Sequence, residues 1–144
     1  MKILVPVDGS KHSIEALKVA ADYAKTKGAT ICLINVIPHI EALMGIEFLP
    51  AERESLAKEL EKNADYTIQQ ACGILAADDV IAVCRAVVAS TSVSDAIIDF
   101  AEKENINLII IGSQGLSLSS RFKMGSIASR VVKHSPCSVY VVKI

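Results

Sequence analysis

The chain has few aromatic residues and no excess of charge of either sign. Tryptophan is absent from its 144 residues, aromatic side chains make up 4%, and the formal net charge is −1 with a pI near 6.3. A nucleic-acid-binding surface needs a basic face and often stacking aromatics, so this composition argues against nucleic acid as a partner. It also provides no polybasic patch for a membrane surface.

Long apolar runs and paired cysteines are also missing. No run approaches the roughly 20 residues of a membrane-spanning helix, and the opening MKILVPVD reaches an acid too early for a secretory signal peptide. The four cysteines form no C-x-x-C pair and match no zinc or disulfide spacing, so we interpret them as small buried hydrophobic residues in a reducing compartment. These features predict a cytoplasmic protein with no membrane partner.

Apolar runs that suit buried strands alternate with amphipathic helical patterns along the chain. The strand-like runs are 2–7, 30–37, 80–88, 107–111 and 138–144, and the helical patterns are 10–28, 50–73, 91–105 and 125–135. This alternation predicts one α/β domain, residues 1–144, with a parallel sheet covered on both faces. If strands 1 to 3 wind one way and strands 4 and 5 the other, a ligand crevice opens between Asp8 and Gly112.

The connection between the fourth strand and the last helix is unusually long and rich in Ser and Gly. Thirteen residues stand where about two to six are typical. Gly112 and Gly115 allow main-chain conformations closed to other residues and remove side chains that would block a ligand. Gly125 and Ser126 open a helix whose first N–H groups and hydroxyl can bind phosphate, and Arg121 and Lys123 could add charge. The glycines alone leave two interpretations open, a phosphate site or a flexible surface loop with a Gly-Ser cap.

The spacing of these residues resembles G-x2-G-x9-G-[ST], the motif of ATP-binding members of the universal stress protein family. The resemblance extends from ILVPVDGS at the start to MGSIASRVVKHSPCSVYVVK at the end. It implies a doubly wound five-stranded parallel sheet in the order 3-2-1-4-5, with helices on both faces. It further implies a stress-response regulatory protein that binds ATP, ADP or AMP and forms a homodimer through the C-terminal strand, 138–144.

The resemblance also assigns roles to individual positions of this sequence. It implies phosphate contacts from Gly112, Gly115, Gly125 and Ser126, adenine and ribose contacts from Pro6, Val7 and Asp8, and an adenine-edge contact from the main chain of Val36. Asp8 also suits a second role, as the cap or loop acceptor of the helix that begins near Ser10. Asp8 is the obvious residue to reach a Mg²⁺ ion that accompanies the nucleotide.

Several features leave alternatives to this interpretation. Ala89 and Ser90 stand where the family often has a glycine, and Gln114 stands where a basic residue or histidine is frequent, which bears on affinity and nucleotide preference. The loop offers no acid and we assign no catalytic residue, so a slow ATPase or phosphotransferase ranks second and an empty interaction module third. The histidines have no partners at metal-ligand spacing, so we expect no protein-held metal site.

The connection 38–50, PHIEALMGIEFLP, is long and carries six large apolar residues. Such a segment either packs back on the body of the domain or forms a lid or partner surface.

Overall fold

The computed structural model describes residues 1–43, 48–115 and 124–144. Five strands alternate with helices along these ranges. The elements are β1 Lys2–Pro6, α1 Lys11–Lys27, β2 Thr30–Ile37, α2 Ile40–Leu43, α3 Pro50–Ala76, β3 Cys84–Ala89, α4 Val93–Lys103, β4 Leu108–Gly112, α5 Ser126–His134 and β5 Ser138–Val142.

All five strands run parallel in one sheet with the order β3-β2-β1-β4-β5, which confirms the predicted topology. The ladder between β1 and β2 extends from Lys2–Thr30 to Pro6–Ile34. The ladder between β1 and β4 has only two register pairs, Ile3–Leu108 and Leu4–Ile109. The winding direction reverses between β1 and β4, and this is where open α/β sheets accept ligands.

Strand residues alternate between two apolar layers on the two faces of the sheet. Ile3, Val5 and Leu33 pack with α1 and α3 on one face. Leu4, Ile34 and residues of β4 pack with α4 and α5 on the other face. Because both faces are covered, most residues of the central strands β1, β2 and β4 are buried.

The helix boundaries follow local signals in the sequence. Ser10 caps α1, since its Oγ accepts a hydrogen bond of 3.2 Å from Ser13 N. Gly28 ends the same helix at φ 66°, and its N–H donates to Ala24 O, as predicted. Pro50 occupies the first turn of α3, where its missing N–H costs no helical bond. No helix within the described ranges is long and apolar enough to cross a membrane.

Two boundaries differ from the sequence-based predictions by more than two residues, and one short helix is additional. Helix α3 continues through Gly73 to Ala76, because a single glycine weakens a helix without ending it. Strand β3 begins at Cys84 instead of residue 80, since the chain first turns at Asp79, where φ is 59°. The segment 38–50 contains the short helix α2, which the pattern did not predict.

The rest of the segment 38–50 is only partly described. Phe48 and Leu49 are 44% and 63% exposed, so these two side chains do not pack on the body of the domain as the first interpretation expected. Met44 and Ile46 lie outside the described residues. The role of this segment as a lid or partner surface therefore stays a prediction.

Candidate functional site

A cavity of about 530 Å³ opens at the carboxyl ends of β1 and β4, where the winding reverses. Its volume lies within the range of about 300–1,000 Å³ that small-molecule pockets occupy. The structure brings all eight residues chosen from the sequence to its walls: Pro6, Val7, Asp8, Val36, Gly112, Gly115, Gly125 and Ser126. Residues far apart in the sequence therefore surround one space.

Much of the cavity wall is apolar and comes from residues that the sequence analysis had not assigned to the site. These residues belong to β2, α4, β4 and the start of α5, and they are Ile34, Val93, Ile97, Ile111, Met124, Ile127 and Ala128. An apolar strand end or helix face looks the same in a sequence whether it borders a core or a pocket. Such a wall suits a flat heterocycle, while polar groups at its rim fix the orientation.

The end of β2 presents main-chain groups to the cavity. Ile34 O accepts from Val7 N at 2.9 Å on the β1 side, and Ile37 O accepts from Ser90 N at 2.9 Å on the β3 side. Since main-chain groups alternate direction along a strand, Val36 N–H and C=O point toward the β1 side, where β1 has already ended. Val36 thus offers one donor and one acceptor beyond the end of β1.

A tight turn after β1 orients the carboxylate of Asp8. Gly9 has φ 82°, a left-handed conformation that favours glycine. The turn brings Ser10 N to 2.9 Å from Asp8 Oδ1, and Asp8 N donates to Ser13 Oγ at 3.4 Å. Ser10, and not Asp8, is therefore the N-cap residue of α1. Asp8 accepts a hydrogen bond within the loop that precedes the helix. Its second oxygen, Oδ2, lies beside Gly115.

The glycines of the motif serve close packing within the protein. The prediction that Gly112 and Gly115 adopt conformations closed to other residues is wrong, because positive φ among the described glycines occurs at Gly9 and Gly28. A Cβ on Gly112 would lie 2.6 Å from His12 Cβ, and one on Gly115 would lie 2.7 Å from Asp8 Oδ2. Helix α1 and the Asp8 carboxylate occupy the space that side chains would need.

The first residues of α5 border the cavity. Gly125, the N-cap residue, donates its own N–H to Ser113 O at 2.7 Å, and its C=O accepts from Ser129 N at 3.0 Å. The following residues, Ser126 and Ile127, line the cavity, and their N–H groups have no partner inside the helix. The anion-binding capacity predicted here therefore rests on residues after Gly125. Arg121 and Lys123 lie outside the described residues.

The electrostatics of the site involve one carboxylate and no protein-held metal centre within the described ranges. Asp8 is the only acidic residue among the described residues that line the cavity. Across residues 1–43, 48–115 and 124–144, no group of three or more His, Cys, Asp or Glu side chains could hold a metal ion.

Comparison with known proteins gives the family context of the chain. The sequence model described as the Universal stress protein family matches residues 1–143. The chain is 33% identical over 143 residues to universal stress protein MJ0531 of Methanocaldococcus jannaschii, an alignment that covers 99% of this chain and 81% of that protein.

Solved structures are also similar. UspA from Lactobacillus plantarum superposes with a TM-score of 0.79 at 25% identity, covering 99% of this chain and 97% of that one. The universal stress protein from Archaeoglobus fulgidus in complex with dAMP superposes with a TM-score of 0.73 at 23% identity, covering 99% and 98%. At this identity the second likeness concerns the fold alone.

Proposed function

The chain belongs to the universal stress protein family, and we propose that it binds an adenine nucleotide, ATP or its relatives ADP and AMP, in the cavity described above. One observation carries the proposal: the eight residues chosen from the sequence, four of them from the glycine motif, line a single cavity at the switch point of the sheet. We further propose that the protein is a regulator in the stress response, whose shape or choice of partner follows the bound nucleotide.

The chemistry of the cavity matches the three parts of a nucleotide. The apolar wall and the main chain of Val36 suit adenine, which presents a donor and an acceptor on its edge. Asp8 Oδ2 suits the ribose hydroxyls, since a carboxylate accepts hydrogen bonds from them. The N–H groups that begin α5, together with the Ser126 hydroxyl, suit the phosphates, because a helix start carries unpaired donors and partial positive charge.

A solved relative supports the choice of an adenine nucleotide as the first ligand to test. The Archaeoglobus fulgidus protein was solved with dAMP, an adenine nucleotide. Since its likeness to this chain concerns only the fold, the proposal depends on the cavity residues of this chain.

A slow ATPase or phosphotransferase remains the second candidate. Phosphoryl transfer generally uses a residue that orients the attacking group and a metal ion that neutralises charge. Asp8 is the one carboxylate among the described cavity residues, and Mg²⁺ is commonly held by one or two carboxylates plus nucleotide phosphates. We therefore expect any Mg²⁺ to arrive with the nucleotide, and hydrolysis to be slow.

We also propose a cytoplasmic homodimer that joins through the C-terminal strand, residues 138–144, without nucleic acid or membrane as partners. Strand β5 lies at an edge of the sheet. Val142 O accepts from Ser113 N on the β4 side, so alternation directs the main chain of Val141 away from β4. An open edge of this kind can pair with a second copy.

The test of the nucleotide proposal begins with protein purified without added nucleotide. The protein is denatured, and released compounds are identified by ultraviolet absorbance and mass spectrometry. Calorimetric titration of the emptied protein with ATP, ADP, AMP and GTP follows. We expect adenine nucleotides to bind, Asp8→Ala to weaken them, and Asp22→Ala, an exposed acid on α1, to leave them unchanged.

The titration and a phosphate-release assay together separate the three candidate functions. Absence of binding by any adenine nucleotide at millimolar concentration would refute the proposal and favour the interaction module. A phosphate-release assay on the ATP complex distinguishes the regulator from the slow ATPase.

A further inference from the structure

Ser113 is a cavity residue that neither the sequence motif nor the proposed function has used. It follows β4 directly, lines the cavity and is only 5% exposed. Its N–H donates to Val142 O at 2.8 Å, and its C=O accepts from Gly125 N at 2.7 Å. These two hydrogen bonds hold its main chain between the end of β5 and the start of α5.

The side chain of Ser113 lies on the cavity side of the sheet. Ile109 and Ile111 pack in the layer of α4 and α5, whereas Gly112 approaches His12 of α1. Alternation along the chain therefore directs the next side chain, that of Ser113, to the face of α4 and α5. The apolar wall of the cavity is on this same face.

The hydroxyl of Ser113 has unused hydrogen-bonding capacity. Among the described residues no hydrogen bond joins its Oγ to another group. In the same ranges no fully enclosed polar side-chain atom lacks a partner, so the Ser113 hydroxyl keeps some accessible surface, and the cavity is the space that this residue lines. Because this hydroxyl has little contact with bulk water, a hydrogen bond to a ligand oxygen is favourable for it.

The other serines at the cavity differ from Ser113. Ser10 Oγ accepts from Ser13 N, and Ser13 Oγ both donates to Ser10 O and accepts from Asp8 N, so their hydroxyls serve the turn before α1. Ser126 is exposed at the rim. Ser113 combines burial, a fixed main chain and a hydroxyl without a described partner.

We propose that Ser113 Oγ donates a hydrogen bond to the phosphate nearest the ribose of the bound nucleotide. The residue lies between Gly115, which adjoins the ribose-binding candidate Asp8, and Gly125, which begins the phosphate-binding helix. This inference rests on the proposed function and adds to it a position that discriminates nucleotides from nucleosides. The contact is available to AMP, ADP and ATP alike and is absent for adenosine.

Titration calorimetry on Ser113→Ala tests the inference, with adenosine measured by competition. We expect AMP and ATP to bind about tenfold to a hundredfold more weakly, since a hydrogen bond to a charged group is lost. Adenosine affinity should remain unchanged. Ser113→Cys, which keeps a similar volume but offers only a weak donor, should behave as Ser113→Ala does. Ser129→Ala, on α5 but outside the cavity wall, is the matched control and should bind as wild type.

The outcomes separate this inference from the proposed function. Wild-type affinity for AMP in the Ser113→Ala protein would overturn the inference and leave nucleotide binding intact. An equal loss for adenosine and AMP would also overturn it, because the residue would then only shape the cavity. If Ser113→Ala does not fold, Ser113→Cys answers the same question. A wild-type protein that binds no adenine nucleotide would refute the proposed function itself.

Discussion

Asp8 Oδ2 lies 2.7 Å from the position that a Cβ atom on Gly115 would occupy. The carboxylate that follows β1 thus occupies the space beside the glycine that follows β4, across the point where the winding reverses. The φ of Gly115 is not in the left-handed region, so its backbone conformation does not require glycine. Glycine is needed because the Asp8 carboxylate occupies the space that a side chain would fill. This relationship links two positions of the candidate site that are more than 100 residues apart in the sequence.

Gly115→Ala should weaken adenine-nucleotide binding while the fold survives. The added methyl group meets the end of a side chain, so Asp8 can rotate away and give up its ribose contact. We expect affinity to fall about tenfold, the effect of one hydrogen bond to a charged group. Titration calorimetry measures the affinity and thermal unfolding checks the fold. Unchanged affinity would contradict the role assigned to Asp8.

Gly112→Ala should lower stability instead. Here the added Cβ would lie 2.6 Å from His12 Cβ and 2.8 Å from the His12 carbonyl carbon, so α1 itself must move. Overpacking of this kind costs about 1–3 kcal/mol of unfolding free energy. Urea unfolding measures the loss. The double variant Gly112→Ala/His12→Ala should be no more stable than Gly112→Ala, because the Cβ and main chain of residue 12 remain. Full recovery of stability would show that the clash involves only the imidazole.

Gly73→Ala should raise the free energy of unfolding and serves as a control for Gly112→Ala. Gly73 is exposed in the interior of α3, has no positive φ, and a Cβ there would meet nothing within 4 Å. Alanine should therefore stabilise the protein by about 0.5–1 kcal/mol through lower chain entropy in the unfolded state and better helix propensity. Urea unfolding should show this gain with nucleotide affinity unchanged. A loss of stability would indicate an additional contact on this helix face.

The topology could be predicted from the sequence because the apolar patterns of the strands and of the helices were both strong. Continuous apolar runs identified strands buried on two faces, and helical apolar stripes such as the one ending at Ala71 identified the covering helices. The predicted start of β3 was wrong because Ile81 and Val83, at 78% and 62% exposure, are apolar residues in a connection and imitate a strand. Helix α2 is only four residues long and has too little periodicity to detect.

The composition of the cavity wall was harder to predict. Glycine spacing located Gly112, Gly115 and Gly125, but the reason for each glycine depends on atoms brought close by the tertiary fold. Ser113 gave no signal in the sequence, because its significance comes from burial and an unused hydroxyl. Side-chain direction and main-chain pairing decide such roles, and neither can be derived from residue type alone.

Cys32 should make stability fall at alkaline pH. It lies opposite Cys84 in the β2–β3 ladder, and burial, reinforced by the adjacent Cys84 thiol, raises the pKa of Cys32 from about 9 to about 11. The unfolded chain therefore loses this proton first as pH rises, so stability present below about pH 9 is lost progressively toward pH 11.

Urea midpoints between pH 8 and 11 measure this effect. The urea midpoint of the wild type should decline more steeply with pH than that of Cys32→Ala, which removes the titrating group and keeps every lysine and tyrosine. Cys72→Ala, a half-buried cysteine on α3, keeps Cys32 in place and should retain the wild-type slope. Parallel curves for wild type and Cys32→Ala would show that Cys32 does not contribute.

Val141→Pro should convert the proposed dimer into monomers. The main chain of Val141 points away from β4, so proline removes an edge donor without breaking the β4–β5 ladder. Val141→Thr keeps the N–H group and a β-branched side chain, and should remain dimeric. Size exclusion with light scattering at micromolar concentration reports the mass, and circular dichroism verifies the fold. If Val141→Pro folds and remains a dimer, the dimer contact lies elsewhere on the protein. If the wild type is a monomer, the proposed dimer is refuted, because the open edge of β5 is then unpaired in solution.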